Sequence, residues 1–234
     1  MGRHPYLVTG ANGLLTSAIA RLLFQLGPPP LLHYHRSTNR IGELFEAGPT
    51  LQADLRSSAD RERLGGWAKR HAPLAGVVLG ASSFEKTPFD TTTTEQISKV
   101  LELELGSHLD VTRRLSGLLA DDGRLLFFSD VGTRLGWPSY PAYLAAKAGI
   151  EAAVKSLARS LGPRIVVCCI APGSLKGAPP PPEGAIRERT PLGRAGTPDE
   201  VAAAVVRFLR LPPSVVQGQT LLIDGGRHLA RDYS

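Results

Sequence analysis

Cysteine is almost absent from this chain: its 234 residues hold two, and they are neighbours, Cys168 and Cys169, inside the apolar run IVVCCIAP. Adjacent strand residues point to opposite faces. The two thiols therefore do not bridge, and they read as buried core residues of a reducing compartment. No stretch approaches the roughly 18 uninterrupted apolar residues of a membrane span. The start, MGRHPYLVTG, runs straight into a strand-like segment without a signal-peptide pattern, so the cytosol is the expected location. The net charge is +6, yet the arginines are scattered, with no basic block and no aromatic-rich platform. That argues against nucleic acid as a partner and leaves solvated helix faces plus a few cations for an anionic ligand. Internal repeats and linkers are also missing, so one domain over 1–234 is expected, long enough to bury a sizeable core. His71, His108 and His228 lack metal-ligand spacing.

What the chain has is alternation. PYLVTG, PLLHYH, PTLQAD, LAGVVLGAS, GRLLFFSD, RIVVCCIAPG and QTLLID read as strands. Between them LLTSAIARLLFQLG, DRERLGGWAKRHA, residues 94–119, SYPAYLAAKAGIEAAVKSLARSLG and DEVAAAVVRFLRL read as helices. Apolar strands alternating with helices predict a parallel sheet covered on both faces. Right-handed crossovers make it an α/β, Rossmann-type, doubly wound domain with a seven-stranded parallel sheet flanked by helices, its ligands beyond the strand C-termini. The four consecutive prolines of KGAPPPPEG, 176–184, exclude helix interior and central strand. They mark a stiff, exposed part of a loop, about 174–191, that crosses the ligand edge and carries substrate specificity.

The first strand–helix turn, Thr9-Gly10-Ala11-Asn12-Gly13-Leu14-Leu15-Thr16, has the glycines that let backbone approach a pyrophosphate, at a helix N-terminus that favours anions. An ordinary tight turn is the plainer alternative. The tip of strand 2 carries His35, Arg36 and Ser37 and no acid. An acid there would hold the ribose 2′-hydroxyl of NADH; an arginine suits the 2′-phosphate of NADPH. The plainer reading of Arg36 is a surface arginine. Asp54, after strand 3, is placed to accept from the adenine amino group.

Tyr143 and Lys147 are four residues apart, hence on one helix face. Asp130 precedes Tyr143 by thirteen residues and follows an apolar run. A carboxylate capping N–H groups at a strand end is the plainer reading of Asp130.

Taken together, TGANGLL, the Ala53-Asp54-Leu55 segment, the Tyr143/Lys147 pair, Pro172-Gly173 after strand 6 and the terminal IDGG resemble a short-chain dehydrogenase/reductase along the whole chain. Within that family HYHRS at 33–37, ASSF at 81–84, TPF at 87–89, Asp130 and DGGRHL at 224–229 resemble pteridine reductases and bacterial dihydromonapterin or dihydrofolate reductases. The resemblance implies NADPH/NADP+ as cofactor, Tyr143 as proton donor, and Lys147 holding the nicotinamide ribose and lowering the tyrosine pKa. It implies that Asp130 holds or feeds protons to Tyr143, and that Phe84 forms one face of an aromatic slot. Ser82, next to Ala81, would bond ring substituents or a cofactor phosphate, and the backbone at Pro172-Gly173-Ser174 would bind the carboxamide. It also implies a homotetramer, or a homodimer, built on helices around 95–119 and 140–161. Trp137 and Tyr140 suit either a pocket wall or a subunit contact. Arg227 and His228 are candidates to reach a neighbouring subunit's site.

Four positions depart from the family pattern. Thr16 replaces the last glycine of the turn, putting a side chain where helix 1 packs closely on the sheet. Leu14 replaces the arginine of pterin reductases, Gly80 the asparagine after strand 4, and Glu104 the helix asparagine. Glu104 either accepts from Lys147 or is a solvated helix residue. Three functions follow: reduction of a pterin-like or other small cyclic C=N substrate with NADPH; carbonyl (ketone or quinone) reduction in secondary metabolism; or a non-redox or cofactor-binding descendant that uses Tyr143 and Asp130 for acid–base chemistry or acts as a regulator.

Overall fold

A computed structural model of the chain describes residues 3–178 and 189–229. Most of the proline-rich segment, and so part of the expected substrate loop, lies outside the described residues.

Seven parallel strands form one sheet in the order β3-β2-β1-β4-β5-β6-β7. They are β1 Tyr6–Thr9, β2 Leu31–Tyr34, β3 Thr50–Gln52, β4 Leu74–Leu79, β5 Leu119–Phe128, β6 Ile165–Pro172 and β7 Thr220–Ile223. The order reverses direction after β1, so the crevice between the C-terminal ends of β1 and β4 is the switch point where such sheets bind ligands.

The strands are apolar because both faces are covered. Alternate residues of β6 divide between two cores: Val166, Cys168 and Ile170 pack with helix α1 (Leu14–Leu26), while Ile165, Val167 and Cys169 pack with helix α7 (Pro141–Leu161). The two cysteines thus face opposite ways, free and fully buried, and burial pushes both thiols up to about 12. They are inert packing groups. Each large apolar side chain buried in these layers contributes roughly 1.5–3 kcal/mol.

Helix starts follow local signals. Ser57 caps α3 (Ser58–Lys69), and Thr93 with Gln96 forms a capping box on α4 (Thr94–Leu101). Pro141 opens α7 at a position that needs no N–H. Pro198 does the same for α8 (Pro198–Phe208), which Thr197 and Glu200 also box. The short helices α2 (Gly42–Phe45), α6 (Gly132–Leu135) and α9 (Pro213–Val216) carry no periodic apolar pattern and are legible only in three dimensions.

The stretch expected as one helix over 94–119 is interrupted. After α4 comes a π-helical turn, Glu102–Gly106, then α5 (Ser107–Leu115), a 3-10 turn, and β5 already at Leu119. The π turn widens the helix where it meets α7. A Cβ on Gly149 of α7 would stand 3.1 Å from Leu105 Cδ2, so the glycine eases the close contact between the two segments. Such turns recur at functional sites, and this one carries Glu104 into the interior.

Candidate active site

Two clefts open along the C-terminal edge of the sheet and meet at Ser82. One, of about 240 Å³, lies over β1, β2 and β3; the other, of about 300 Å³, lies over β5 and β6. Together they form a long groove across the switch point.

Gly10, His35, Arg36, Asp54, Leu55, Ala81 and Ser82 line the first cleft. Gly10 has φ +61°, and a Cβ there would lie 2.7 Å from Ala81 Cα, so only glycine lets β1 turn this close to β4. His33 pins the turn. Its Nδ1 accepts from the Gly10 N–H at 3.1 Å and its Nε2–H donates to the Ala53 carbonyl at 3.0 Å. Burial holds this histidine down at about 4, so it is neutral and can play both roles. Asn12 ties the turn to the β2 tip by donating to Ser37 Oγ at 2.8 Å and Asn39 Oδ1 at 2.9 Å. Arg36 and Ser37 are exposed at that tip. Asp54 lines this cleft, and its carboxylate holds Arg56 through both oxygens, at 3.0 and 2.9 Å. The Arg56 hydrogen bond is the main reason its carboxyl falls to about 2.

The second cleft brings together Gly13, Leu15, Phe84, Asp130, Trp137, Tyr143, Lys147, Pro172, Gly173 and Ser174. Its α1 rim starts after Gly13, which has no side-chain cap, and carries no acid in the first turn. Uncapped N–H groups at a helix N-terminus suit a phosphate. These features, with the glycine approach and Arg36 at the far end, fit a phosphorylated dinucleotide.

Asp130 sits just past β5, where Ser129 N–H and Val131 N–H donate to the Ile170 and Pro172 carbonyls. Its two oxygens do two jobs. Oδ1 accepts from Gly132 N–H at 2.8 Å, the strand-end cap; Oδ2 accepts from Tyr143 Oη–H at 3.0 Å. Burial raises the Asp130 carboxyl to about 6. Tyr143 is buried too, and burial, then the Asp130 charge, pushes its phenol well above the ordinary value. Lys147 Nζ lies 5.3 Å from the Tyr143 ring centroid but makes its ion pair with Glu104 Oε2, at 2.9 Å. Glu104 is fully buried, which removes the solvated-residue reading.

Because Asp130 binds its proton more tightly folded (about 6) than at its ordinary value of 3.8, ionising it costs stability as pH rises across that interval. The cost reaches about 3 kcal/mol above it. Asp130→Asn is therefore expected to gain stability over the wild type at about pH 8 and not at about pH 4. Urea unfolding at the two pH values checks this; an equal effect at both would contradict it.

Phe84 is held at φ +51°, in the left-handed region that β-carbon-bearing residues rarely adopt. Its ring stacks on Tyr140 at 4.7 Å and meets Tyr143 and Trp137 edge-on at 5.1 and 6.0 Å. Trp137 and Tyr140 are thereby packed inside the chain, as pocket wall and its backing. Arg227 is also turned inward, and His228, partly exposed, bonds Asp224 at 2.7 Å. The 3-10 turn at Arg227–Leu229 folds them back.

Thr16 and Gly80 explain each other. The Thr16 hydroxyl donates to the Gly10 carbonyl at 2.5 Å, and its methyl lies where a Gly80 Cβ would be, 2.3 Å away. The side chain added at one position fills the room vacated at the other, so α1 keeps its close seat on the sheet. Neither the pairing nor the roles of His33 and Arg56 showed in the sequence, because each depends on segments that only the fold brings together or on a choice among partners.

The family described as Enoyl-(Acyl carrier protein) reductase matches residues 15–228. The chain is 28% identical to the 3-oxoacyl-(acyl-carrier-protein) reductase FabG of Rickettsia conorii, over 94% of this chain and 95% of the relative. A short-chain dehydrogenase from Burkholderia cenocepacia in complex with NADP superposes with a TM-score of 0.87 at 26% identity, covering 97% of this chain and 99% of the other. FolM alternative dihydrofolate reductase 1 from Brucella canis, complexed with NADP, does so with 0.84 at 27% identity, covering 98% and 96%.

Proposed function

Since the chain belongs to the short-chain dehydrogenase/reductase family and is thus a nicotinamide-dependent oxidoreductase, we propose that it uses NADPH to reduce a pterin-like or other small cyclic C=N substrate. The observation that carries this reading is the buried Asp130 carboxyl hydrogen-bonded to Tyr143. Burial holds that carboxyl at about 6, so near neutral pH it can carry a proton for Tyr143 and pass it on. It suits a flat heterocycle that presents N–H groups, whose ring nitrogen needs a proton once the ring carbon is reduced.

NADPH, when bound, supplies the hydride for the ring carbon. Tyr143 Oη–H gives its proton to the ring nitrogen and takes one from protonated Asp130, so one hydride and one proton convert C=N to CH–NH. Asp130 then recovers a proton from solvent. Phe84, Trp137 and Tyr143 offer the flat apolar wall that such a ring packs against. The likeness to the Brucella canis dihydrofolate reductase supports the substrate class.

A second reading, carbonyl reduction, has its own support. The Rickettsia relative is a 3-oxoacyl reductase, and Leu14 puts an apolar side chain on the catalytic rim. Turnover on dihydropterins against a panel of ketones and quinones separates the two; ketone turnover exceeding pterin turnover would overturn the first. The non-redox reading loses its main motive, because Thr16 and Gly80 are complementary.

The cofactor is tested by following nicotinamide fluorescence. NADPH is expected to bind more tightly than NADH. Arg36→Ala is expected to weaken NADPH about tenfold, the loss of one charge-assisted contact, and to leave NADH unchanged. Equal weakening of both would remove Arg36 from the phosphate.

A further inference from the structure

Glu104 occupies the middle of the π turn, and its carboxylate is fully used. Oε1 accepts from Ser82 Oγ at 2.9 Å, Ser83 N–H at 2.7 Å and Ser83 Oγ at 3.3 Å, and Oε2 holds Lys147 at 2.9 Å. An amide could accept on one side only; its NH₂ would then face the lysine ammonium, donor against donor. A carboxylate is therefore the group this position requires. Neither charge reaches water: the Glu104 side chain is 0% and the Lys147 side chain 3% exposed.

We propose that Glu104 is a positioning residue: it clamps Lys147 to the Ser82–Ser83 loop and supplies the lysine's counter-charge, so that Asp130 is left to carry the proton for Tyr143. The inference rests on the reading of the cleft given above. Lys147 has two buried carboxylates within its field, Glu104 in direct contact and Asp130 at the turn after β5. Whichever it pairs with is held ionised. The contact goes to Glu104, and its carboxyl falls below the usual range: burial raises it, but the Lys147 charge and hydrogen bond and the Ser83 N–H together outweigh that. Asp130 has no direct contact with the lysine: burial raises it, the Gly132 and Tyr143 hydrogen bonds and the Lys147 charge offset that only in part, and the Glu104 charge raises it further. His108 reinforces the arrangement by donating Nδ1–H to the Glu104 carbonyl at 3.0 Å, and burial keeps it neutral. The other titratable groups around this cluster are Tyr140, just before α7, and Cys169 on β6.

The test uses cofactor-free full-length protein. Carboxyl-carbon NMR follows the Asp130 titration, with Asp130→Asn assigning its signal. In Glu104→Gln the lysine loses its counter-ion and turns to Asp130, so the Asp130 midpoint is expected to fall by about one pH unit or more. A midpoint that stays put in a folded Glu104→Gln protein would overturn the proposal. A merely structural role for Glu104 would not move that midpoint in a variant that keeps its fold.

Leaving one buried charge unpaired threatens folding itself, so the pair Glu104→Gln/Lys147→Met is made as well. With both charges gone, its Tm is expected to exceed that of either single variant. A double variant no more stable than the singles would show that the two residues are not each other's counter-ions. Both readouts are taken without NADPH or substrate. Failure to bind NADPH would thus count against the proposed function and leave this inference to its own evidence.

Discussion

Tyr143→Phe lowers kcat by about 10²–10⁴-fold, the usual range for loss of a positioned acid, while NADPH binding stays within about threefold. The asymmetry follows from what the substitution removes. The ring keeps its edge contact with Phe84 and its place under Lys147, so the wall of the cleft persists. Only the hydroxyl goes, and with it the route from Asp130 Oδ2 to the substrate. Because Asp130 must be protonated to refill Tyr143, and its carboxyl sits at about 6, kcat is expected to fall as pH rises above that value. The fall approaches tenfold per pH unit. Asp130→Asn cannot deliver a proton and should lose both the activity and the limb. Steady-state kinetics with pre-bound NADPH measures kcat, and fluorescence titration measures binding. Unchanged kcat in Tyr143→Phe, or a flat pH profile between about 6 and 8, would exclude the proton route.

Gly80→Asn is expected to destabilise the protein by about 1–3 kcal/mol, the cost of overpacking a filled interior, and Thr16→Gly is expected to rescue it. The Asn Cβ would meet Thr16 Cγ2 at 2.3 Å and the Thr9 carbonyl oxygen at 3.2 Å. Thr9 is buried backbone of β1 and cannot yield, so the strain falls on Thr16 and lifts α1 from the sheet. Thr16→Gly alone opens a void and removes the hydrogen bond to the Gly10 carbonyl, also a loss. If the two positions are complementary, the double variant is more stable than the sum of the single losses allows. Urea unfolding of the four proteins gives that coupling directly. Strict additivity would mean that the exchange of side-chain volume between β4 and α1 has no energetic content.

Much of the fold could be read one segment at a time. Seven strands, the principal helices and their parallel arrangement follow from apolar runs of strand length alternating with helical periodicity, each visible in a short window. The same holds for Tyr143 and Lys147, whose common face is a property of one helix, and for the glycine turn at Gly10. The break in the 94–119 stretch was not legible, since a single five-residue π turn shifts the helical period too little to stand out from ordinary scatter in the apolar pattern.

The sequence by itself thus determined the sheet, its ligand edge, and the acid, phenol and amine that gather there, because local periodicity and turn chemistry act between near neighbours. Tertiary structure alone decided which partner each charged or small residue takes. Lys147 pairs with Glu104 and not with Asp130, Thr16 fills the space over Gly80, and Arg56 holds the carboxylate of Asp54. In each case several partners are chemically acceptable along the chain. Packing selects among them, since burial makes an unmatched charge or an overfilled space too costly to keep.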